Sequence, residues 1–442
     1  MTLILFGIFI LLLLLDVPVV FCLMVSSLAA LVYAGVNPVM VGLEMSRSMA
    51  SFYPFVAVPF FMLAGELMAQ GGLSNKIIDF ARALIGHKRG GMAMATTLSC
   101  MIFGAVSGAS SATTAAIGTV MIPAMKKSKF PAGYATALVA CSGTTGAMIP
   151  PSMVLIIYGV IANLSIERLF MAGVIPGILI GTGLIGVSYL FAVKHNLPIA
   201  PKLGLKGILK SVLSSFFAIG LMAIIFVGIL GGIFTATEAA AVAVVYAFIV
   251  GFLIYRKLHF RDLGPILVNV AKNTAALSFL ICSAGLFSWV LTLGYIPQIL
   301  TNSILSGSEF VLFPLQGLLN PALFFLVKKI CILLVLNCML LVVGMFVDAG
   351  PALLIVVPVL LPIAGELHMD PIHFALIVVI NLVIGLITPP VGTTLFVASG
   401  VADIRITEVV PYVLKMFPVM VFVQLLITFI PPLTLFLANF IK

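Results

Sequence analysis

Apolar runs of about 18 or more residues recur from one end of this 442-residue chain to the other, and no polar stretch between them could build a separate soluble domain. A run of that length is what a helix needs to cross the hydrocarbon layer. Composition agrees: 63% of residues are hydrophobic and 8% charged, where ordinary globular domains carry about 25% charged residues. The sequence therefore predicts one lipid-dissolved, all-α, multi-pass unit, with membrane lipid as its first partner. The formal charge of +9 does not call for nucleic acid, because the basic residues sit in short clusters between apolar runs, where the positive-inside bias puts them. The six cysteines are scattered through apolar segments without a CxxC pair, which reads as packing rather than a disulfide framework or zinc site. The first twenty residues lack a basic n-region and a clear cleavage site, so they read as the first span rather than a signal peptide.

Spanning helices are expected at roughly 2–15, 18–36, 54–70, 153–164, 169–193, 212–233, 238–255, 274–293 and 412–437. Two regions differ. Residues 92–125 and 331–362 each hold two apolar arms around a polar or glycine-rich centre, FGAVSGASSATTAA and VVGMFVDAGPALL. Irregular backbone at membrane depth is tolerated only where protein or a water-filled cavity satisfies it, so each centre is predicted to be the tip of a re-entrant helical hairpin.

The chain also repeats itself. A shift of about 239 positions lays Gly146 on Gly385 and Pro150-Pro151 on Pro389-Pro390, and one gap then brings PAGYATALV (131–139) onto PIHFALIVV (371–379). Two repeats are expected: 1–200, with hairpin 92–125 and broken helix 131–164, and 201–442, with hairpin 331–362 and broken helix 371–402. The loop after the first hairpin carries Lys126, Lys127 and Lys129, whereas its counterpart carries Glu366, His368 and Asp370, so the repeats are predicted to be inverted. Threading the spans from that anchor puts 76–89, 126–129, 194–210, 256–272 and 405–415 in the cytoplasm and the N-terminus outside. Of the chain's 22 Lys and Arg, only Arg47, Arg168, Lys328, Lys329 and Lys442 fall elsewhere. Residues 72–91 read as an amphipathic interfacial arm. The interrupted stretch 306–329 has no counterpart in the first half and reads as interfacial or partly re-entrant.

Three constellations carry chemistry. Ser107–Thr114 is dense in glycine and hydroxyls, which suits either a dehydrated Na⁺ or close helix packing in lipid. Each Pro-Pro pair removes amide donors and opens its helix, freeing carbonyls amid Thr144, Thr145 and Ser152 in one half and Thr388, Thr393 and Thr394 in the other. A proline kink without function is the plain alternative, and duplication at corresponding positions weighs against it. Asp348 is a carboxylate at membrane depth, costing about 2.5–3.5 kcal/mol on insertion scales; it could ligate a cation, cap the following half-helix or order the tip. Glu66 sits near a span's end, and Glu366, His368, Asp370 and His373 lack metalloenzyme spacing. With neither paired membrane aspartates nor HExxH, an intramembrane enzyme is disfavoured.

These motifs resemble the large membrane subunit of the tripartite ATP-independent periplasmic (TRAP) transporters of the ion-transporter superfamily. The similar segments are 59–74, 103–125, 146–159, 169–179, 344–363 (GMFVDAGPALLIVVPVLLPI) and 385–402 (GLITPPVGTTLFVASGVA), covering nearly the whole chain. The resemblance implies a multi-pass protein of the bacterial inner membrane in which a transport domain slides, elevator-fashion, against a scaffold. It implies Na⁺ coupling, with at least two ions, and an organic-acid substrate such as a C4-dicarboxylate or sialic acid. It also implies a small membrane subunit and a periplasmic substrate-binding protein; a stand-alone Na⁺/dicarboxylate symporter of the same superfamily is the alternative. Carried over by position, one Na⁺ site involves Ser107, Gly108, Thr145 and Gly146. The other involves Gly344, Asp348, Thr388, Gly392, Thr393 and Thr394, with substrate contacts at Ser110, Ser111, Thr113 and Ser152.

Overall fold

The computed structural model describes residues 1–15, 17–51, 53–197, 205–316 and 320–441, and among them every regular element is helical. The first helices are α1 (Thr2–Leu14), α2 (Val19–Tyr33), α3 (Pro38–Ser51), α4 (Ala57–Gln70) and α5 (Leu73–Ile85). A hairpin follows, α6 (Gly91–Ser107) and α7 (Ser110–Lys127), then a helix broken into α8 (Ala132–Gly143), a 3₁₀ turn at Thr144–Ala147 and α9 (Met153–Ala162). Next come α10 (Ile166–Lys194), α11 (Leu205–Leu230), α12 (Ala236–Ile249), α13 (Phe260–Leu293) and α14 (Ile296–Gln316). The second hairpin is α15 (Pro321–Phe346) with α16 (Ala349–Glu366); its broken helix is α17 (Pro371–Gly385) and α18 (Thr393–Ala402); α19 (Ile406–Phe429) and α20 (Pro432–Ala438) end the chain. Hairpin followed by broken helix thus occurs twice, and both Pro-Pro bonds are cis. Among the described residues six helices, α10, α13, α15 and α19 among them, are long and apolar enough to cross a membrane.

Local chemistry sets these boundaries. Ser165 caps α10 through the Arg168 amide, and Thr235 with Glu238 forms a capping box on α12. Asp370 caps α17 by accepting from the amides of Ile372 and His373. The predicted interfacial arm is α5, whose buried face is Leu73, Ile77, Ile78 and Ala81.

Two stretches without an expected element gain one, and two expectations change. Residues 256–272 are largely helical: α13 starts at Phe260, and its 34 residues span about 51 Å, well beyond a hydrocarbon layer of about 30 Å, so its basic first turns can stand in water. Residues 38–51, unassigned from sequence, form α3, where Asn37 accepts from the Val39 amide and Pro38 opens the helix. The stretch 306–329 is not a separate interrupted segment. Pro314 lies inside α14, and Asn320-Pro321 begins α15, Asn320 accepting from the Leu323 amide; residues 317–319 lie outside the described residues. The first arm of the second hairpin therefore begins at Pro321 rather than at 331. Its base is closed by Lys329, whose ammonium donates to the Leu367 carbonyl at 3.0 Å, at the negative end of α16.

Two sets of helix contacts recur, joined through α5, which lies against α11 and α6 alike. In one, α13 lies against α2, α3 and α4, α12 against α4, and α11 against α5. In the other, each hairpin rests on its own broken helix, α10 packs on α6, α19 and α20, and the halves interlock, with α16 on α9 and α18 on α7 and α8. The groups meet where α4 and α5 touch α6 and where α13 and α14 touch α16.

Candidate functional site

Each hairpin crosses its broken helix at a pair of glycines near the carbonyl ends of both. A Cβ built on Gly104 would collide with the Gly146 backbone, and one on Gly344 would lie 3.0 Å from Gly385 Cα and 2.6 Å from the Leu382 carbonyl. Only glycine permits that approach. The tip then locks on: the Gly108 carbonyl accepts from the Met153 amide at 3.2 Å, and the Met345 carbonyl from the Gly392 amide at 3.1 Å. Gly108 and Gly392 both have φ near +60°, which an L side chain would strain.

In the first half this geometry assembles the expected cation ligands in part. Ser107 Oγ lies 2.7 Å from Thr113 Oγ1 and 3.4 Å from the Ala109 carbonyl, and Gly146 leaves space beside both Thr113 Oγ1 and Ala109. Ser107, Gly108 and Gly146 therefore share one locus. The Thr145 hydroxyl instead donates back to the Ser142 carbonyl at 2.6 Å. Thr113, expected to face substrate, belongs to this locus. Thr114, at the end of the hydroxyl-rich stretch, has a buried hydroxyl without a hydrogen-bond partner that fills the space a side chain at Gly143 would need.

In the second half Gly344 and Gly392 meet the break as expected, and the Thr394 amide donates to the Leu386 carbonyl at 3.1 Å. Thr388 donates to the Ile384 carbonyl at 2.9 Å. Asp348 orders the tip: one carboxylate oxygen accepts from the Gly350 amide at 3.3 Å, the other from the Thr393 hydroxyl at 3.2 Å, tying tip to α18.

Between the two tips lies a cavity of about 110 Å³, lined by Ser110 and Ser111, Met153 and Val154, Asp348 to Pro351, and Thr394 among others. These are the first turns of α7, α9, α16 and α18, so four helix N-termini face one small space. Each such end favours negative charge by about 0.3–1 kcal/mol, and by up to ~2 kcal/mol where partly buried. The hydroxyls of Ser110 and Thr394 are buried there without a partner. The opposite, carbonyl ends of α6, α8, α15 and α17 meet at the glycine crossings, where positive charge is favoured. Ser152, an expected substrate contact, does not line the cavity; it donates to the Ala147 carbonyl and caps α9 through the Leu155 amide.

A second cavity, of about 630 Å³, shares Ala109, Ser111, Met153 and Leu277 with the first. Asn269 and Asn273 of α13 and Glu66 of α4 also line it, which gives Glu66 a place beside the site that its position near a span's end concealed. The residues that mimic a metal cluster have separate duties: Asp370 caps α17, His368 stacks on Phe325, and His373 bonds Thr434 and the Thr428 carbonyl.

Residues 6–433 match the family described as tripartite ATP-independent periplasmic transporter, DctM component. The C4-dicarboxylate TRAP transporter large permease protein DctM of Pseudomonas aeruginosa is 39% identical over 88% of this chain and 87% of its own length. The isethionate TRAP transporter permease protein DctMQ of Oleidesulfovibrio alaskensis is 37% identical over 99% of this chain and 66% of its own. Among solved structures, the Alcanivorax borkumensis YdaH transporter shares the fold, with a TM-score of 0.58 at 15% identity over 88% of each chain. These relatives are permeases rather than enzymes. The chain belongs to the DctM family, the large permease component of the tripartite ATP-independent periplasmic transporters.

Proposed function

We propose that this permease imports organic acids, carboxylates such as C4-dicarboxylates or sialic acid, driven by Na⁺. The observation that carries the reading is the separation of helix ends: four N-termini around the cavity between the tips suit a carboxylate, and the carbonyl ends at each glycine crossing suit a cation. At least two Na⁺ sites follow, one at Ser107, Gly108 and Gly146 with Thr113, the other at Gly344, Thr388 and Gly392 to Thr394. Ions at the crossings stabilise the tip geometry that presents the N-termini, which couples ion to substrate. Asp348, which also lines the cavity between the tips, holds the second tip through the Gly350 amide and the Thr393 hydroxyl.

The two packing groups supply the moving parts. The group of hairpins and broken helices acts as the transport domain of an elevator and slides against the group built on α13, within two inverted repeats whose N-terminus is periplasmic in the inner membrane. The larger cavity is lined by Asn269 and Asn273 in the half of α13 that bears Arg261 and Lys272; with that basic end in the cytoplasm, the state is on this reading inward-facing. A periplasmic binding protein delivers the substrate and a small membrane subunit completes the scaffold.

The test is reconstitution of the permease with both partners in liposomes and uptake of labelled organic acids under an inward Na⁺ gradient. Uptake that requires the binding protein and collapses when K⁺ replaces Na⁺ is expected. Uptake indifferent to Na⁺ would defeat the proposal.

A further inference from the structure

A third cavity, of about 360 Å³, lies beyond the tips on the side away from the larger one. Helix α13 gives the order. Asn269 to Leu277 line the larger cavity, Leu277 also lines the space between the tips, and Ala284 to Thr292 line the third. The other walls run the same way: on α9 the tip cavity reaches Ile157 and the third begins at Val160, and on α16 the change falls between Pro351 and Leu354. Glu44 and Arg47 of α3 close the remaining side, so α3 and α13 of one set of helices face α9 and α16 of the other.

Its size falls within the about 300–1,000 Å³ of small-molecule sites. Among the described residues Arg47 is the only basic side chain lining any of the three cavities, whereas the other two carry the carboxylates of Glu66 and Asp348. Arg47 is also one of the few basic residues that the charge pattern leaves outside the cytoplasmic segments, against the bias that orients the chain. A guanidinium offers paired N–H donors that match a carboxylate. Asn163 of α9 and Ser288, Trp289 and Thr292 of α13 share the lining. The Thr292 hydroxyl donates to the Ser288 carbonyl at 2.9 Å, which leaves its oxygen as an acceptor. Glu44, one turn before Arg47, accepts from hydroxyls and repels a second carboxylate.

We propose that the third cavity is an outer binding site for an organic acid with one carboxylate and several hydroxyls, the carboxylate on Arg47 and the hydroxyls among Glu44, Asn163, Ser288 and Thr292. The site rests on the reading of the permease as an organic-acid importer, and it narrows the class of acid. A dicarboxylate would set its second charge against Glu44. Because the walls come from both sets of helices, sliding one set along the other alters the site, which suits a holding place ahead of the tips.

Trp289 is the only tryptophan in the chain, so its fluorescence reports on this cavity. The full chain in nanodiscs, in K⁺ buffer without Na⁺ and at constant ionic strength, is titrated with gluconate, a hydroxylated monocarboxylate, and with succinate, a dicarboxylate. Gluconate should change the Trp289 emission saturably, and succinate should need about tenfold more. Arg47→Gln should weaken gluconate about tenfold, and Glu44→Gln should remove the handicap of succinate. No saturable change with gluconate, or equal gluconate affinity in wild type and Arg47→Gln, overturns the site; succinate binding wild type as tightly as gluconate overturns the class of acid. If Arg47→Gln does not fold, Arg47→Lys carries the test: losing the paired donors should weaken gluconate about threefold, and unchanged affinity overturns the site. The titration needs neither Na⁺ nor partner proteins, so its failure is separate from failure of Na⁺-driven uptake.

Discussion

Asn381 donates to Asn337 at 2.7 Å between α17 and α15, and the corresponding residues of the first half, Ser142 and Thr97, share a 2.9 Å hydrogen bond between α8 and α6. Two helical turns beyond each hairpin residue stands the crossing glycine, Gly344 or Gly104, and one turn beyond each broken-helix residue stands its partner, Gly385 or Gly146. Bond and crossing therefore lie on one seam in each half.

The two seams should differ in strength. Asn337→Leu removes one acceptor shared by Asn381, Gln424 and Thr428, each of which keeps a weaker or single remaining partner, whereas Thr97→Val removes the one partner of the Ser142 hydroxyl; a buried group left unpaired costs about 1–3 kcal/mol. Thermal unfolding in detergent should show the larger loss for Asn337→Leu. Equal losses would mean that the second seam carries no extra stability.

At the crossings, Gly385→Ala puts a methyl group onto the Gly344 backbone, which has no flexible side chain to give way. Overpacking of this kind costs about 1–3 kcal/mol. The hairpin should lift from its helix, with a lower unfolding temperature and uptake reduced more than tenfold; wild-type uptake would show that the close approach is dispensable.

Ser107→Ala or Thr388→Val should raise the Na⁺ concentration for half-maximal uptake about tenfold, the equivalent of about 1.4 kcal/mol, while the amount of protein in the membrane stays constant. Unchanged Na⁺ dependence in both variants would remove these residues from the ion sites.

Asp348 separates two roles. As a tip-ordering cap it should tolerate Asn, which still accepts from the Gly350 amide, whereas Ala should cost about 1 kcal/mol of local stability and slow uptake. If Asn is as damaging as Ala in its Na⁺ dependence, the carboxylate charge itself is a cation ligand.

Orientation can be read directly. A reporter fused after Lys127 should register the cytoplasm and one after His368 the periplasm. The same side for both would show that the repeats are parallel.

Much of this protein was legible in its residues, because lipid allows few solutions. Long apolar runs had to be helices, consecutive prolines at 150–151 and 389–390 had to open theirs, and glycine-rich tips at membrane depth had to be shielded by protein. Boundaries suffered where a cap outweighed composition: Asn37-Pro38 and Asn320-Pro321 start helices in stretches that hydropathy left unassigned or interrupted. Roles were harder. Thr113 and Ser152 carry the same hydroxyls as Ser111 and Ser110, yet the fold turns one to Ser107 and spends the other on a cap. Asn337, Asn381 and Gln424 lie in three separate apolar runs, each unremarked there because a lone amide signals cost without naming its partner.

By itself the sequence determined the class of solvent, the number of interrupted elements and their duplication, since each follows from local backbone chemistry repeated along the chain. Only the tertiary structure decided that four helix N-termini share one cavity while the carbonyl ends part to the glycine crossings. Side chains distant in the chain interact through the space between them, and which helix ends come to share that space depends on how all the helices pack together.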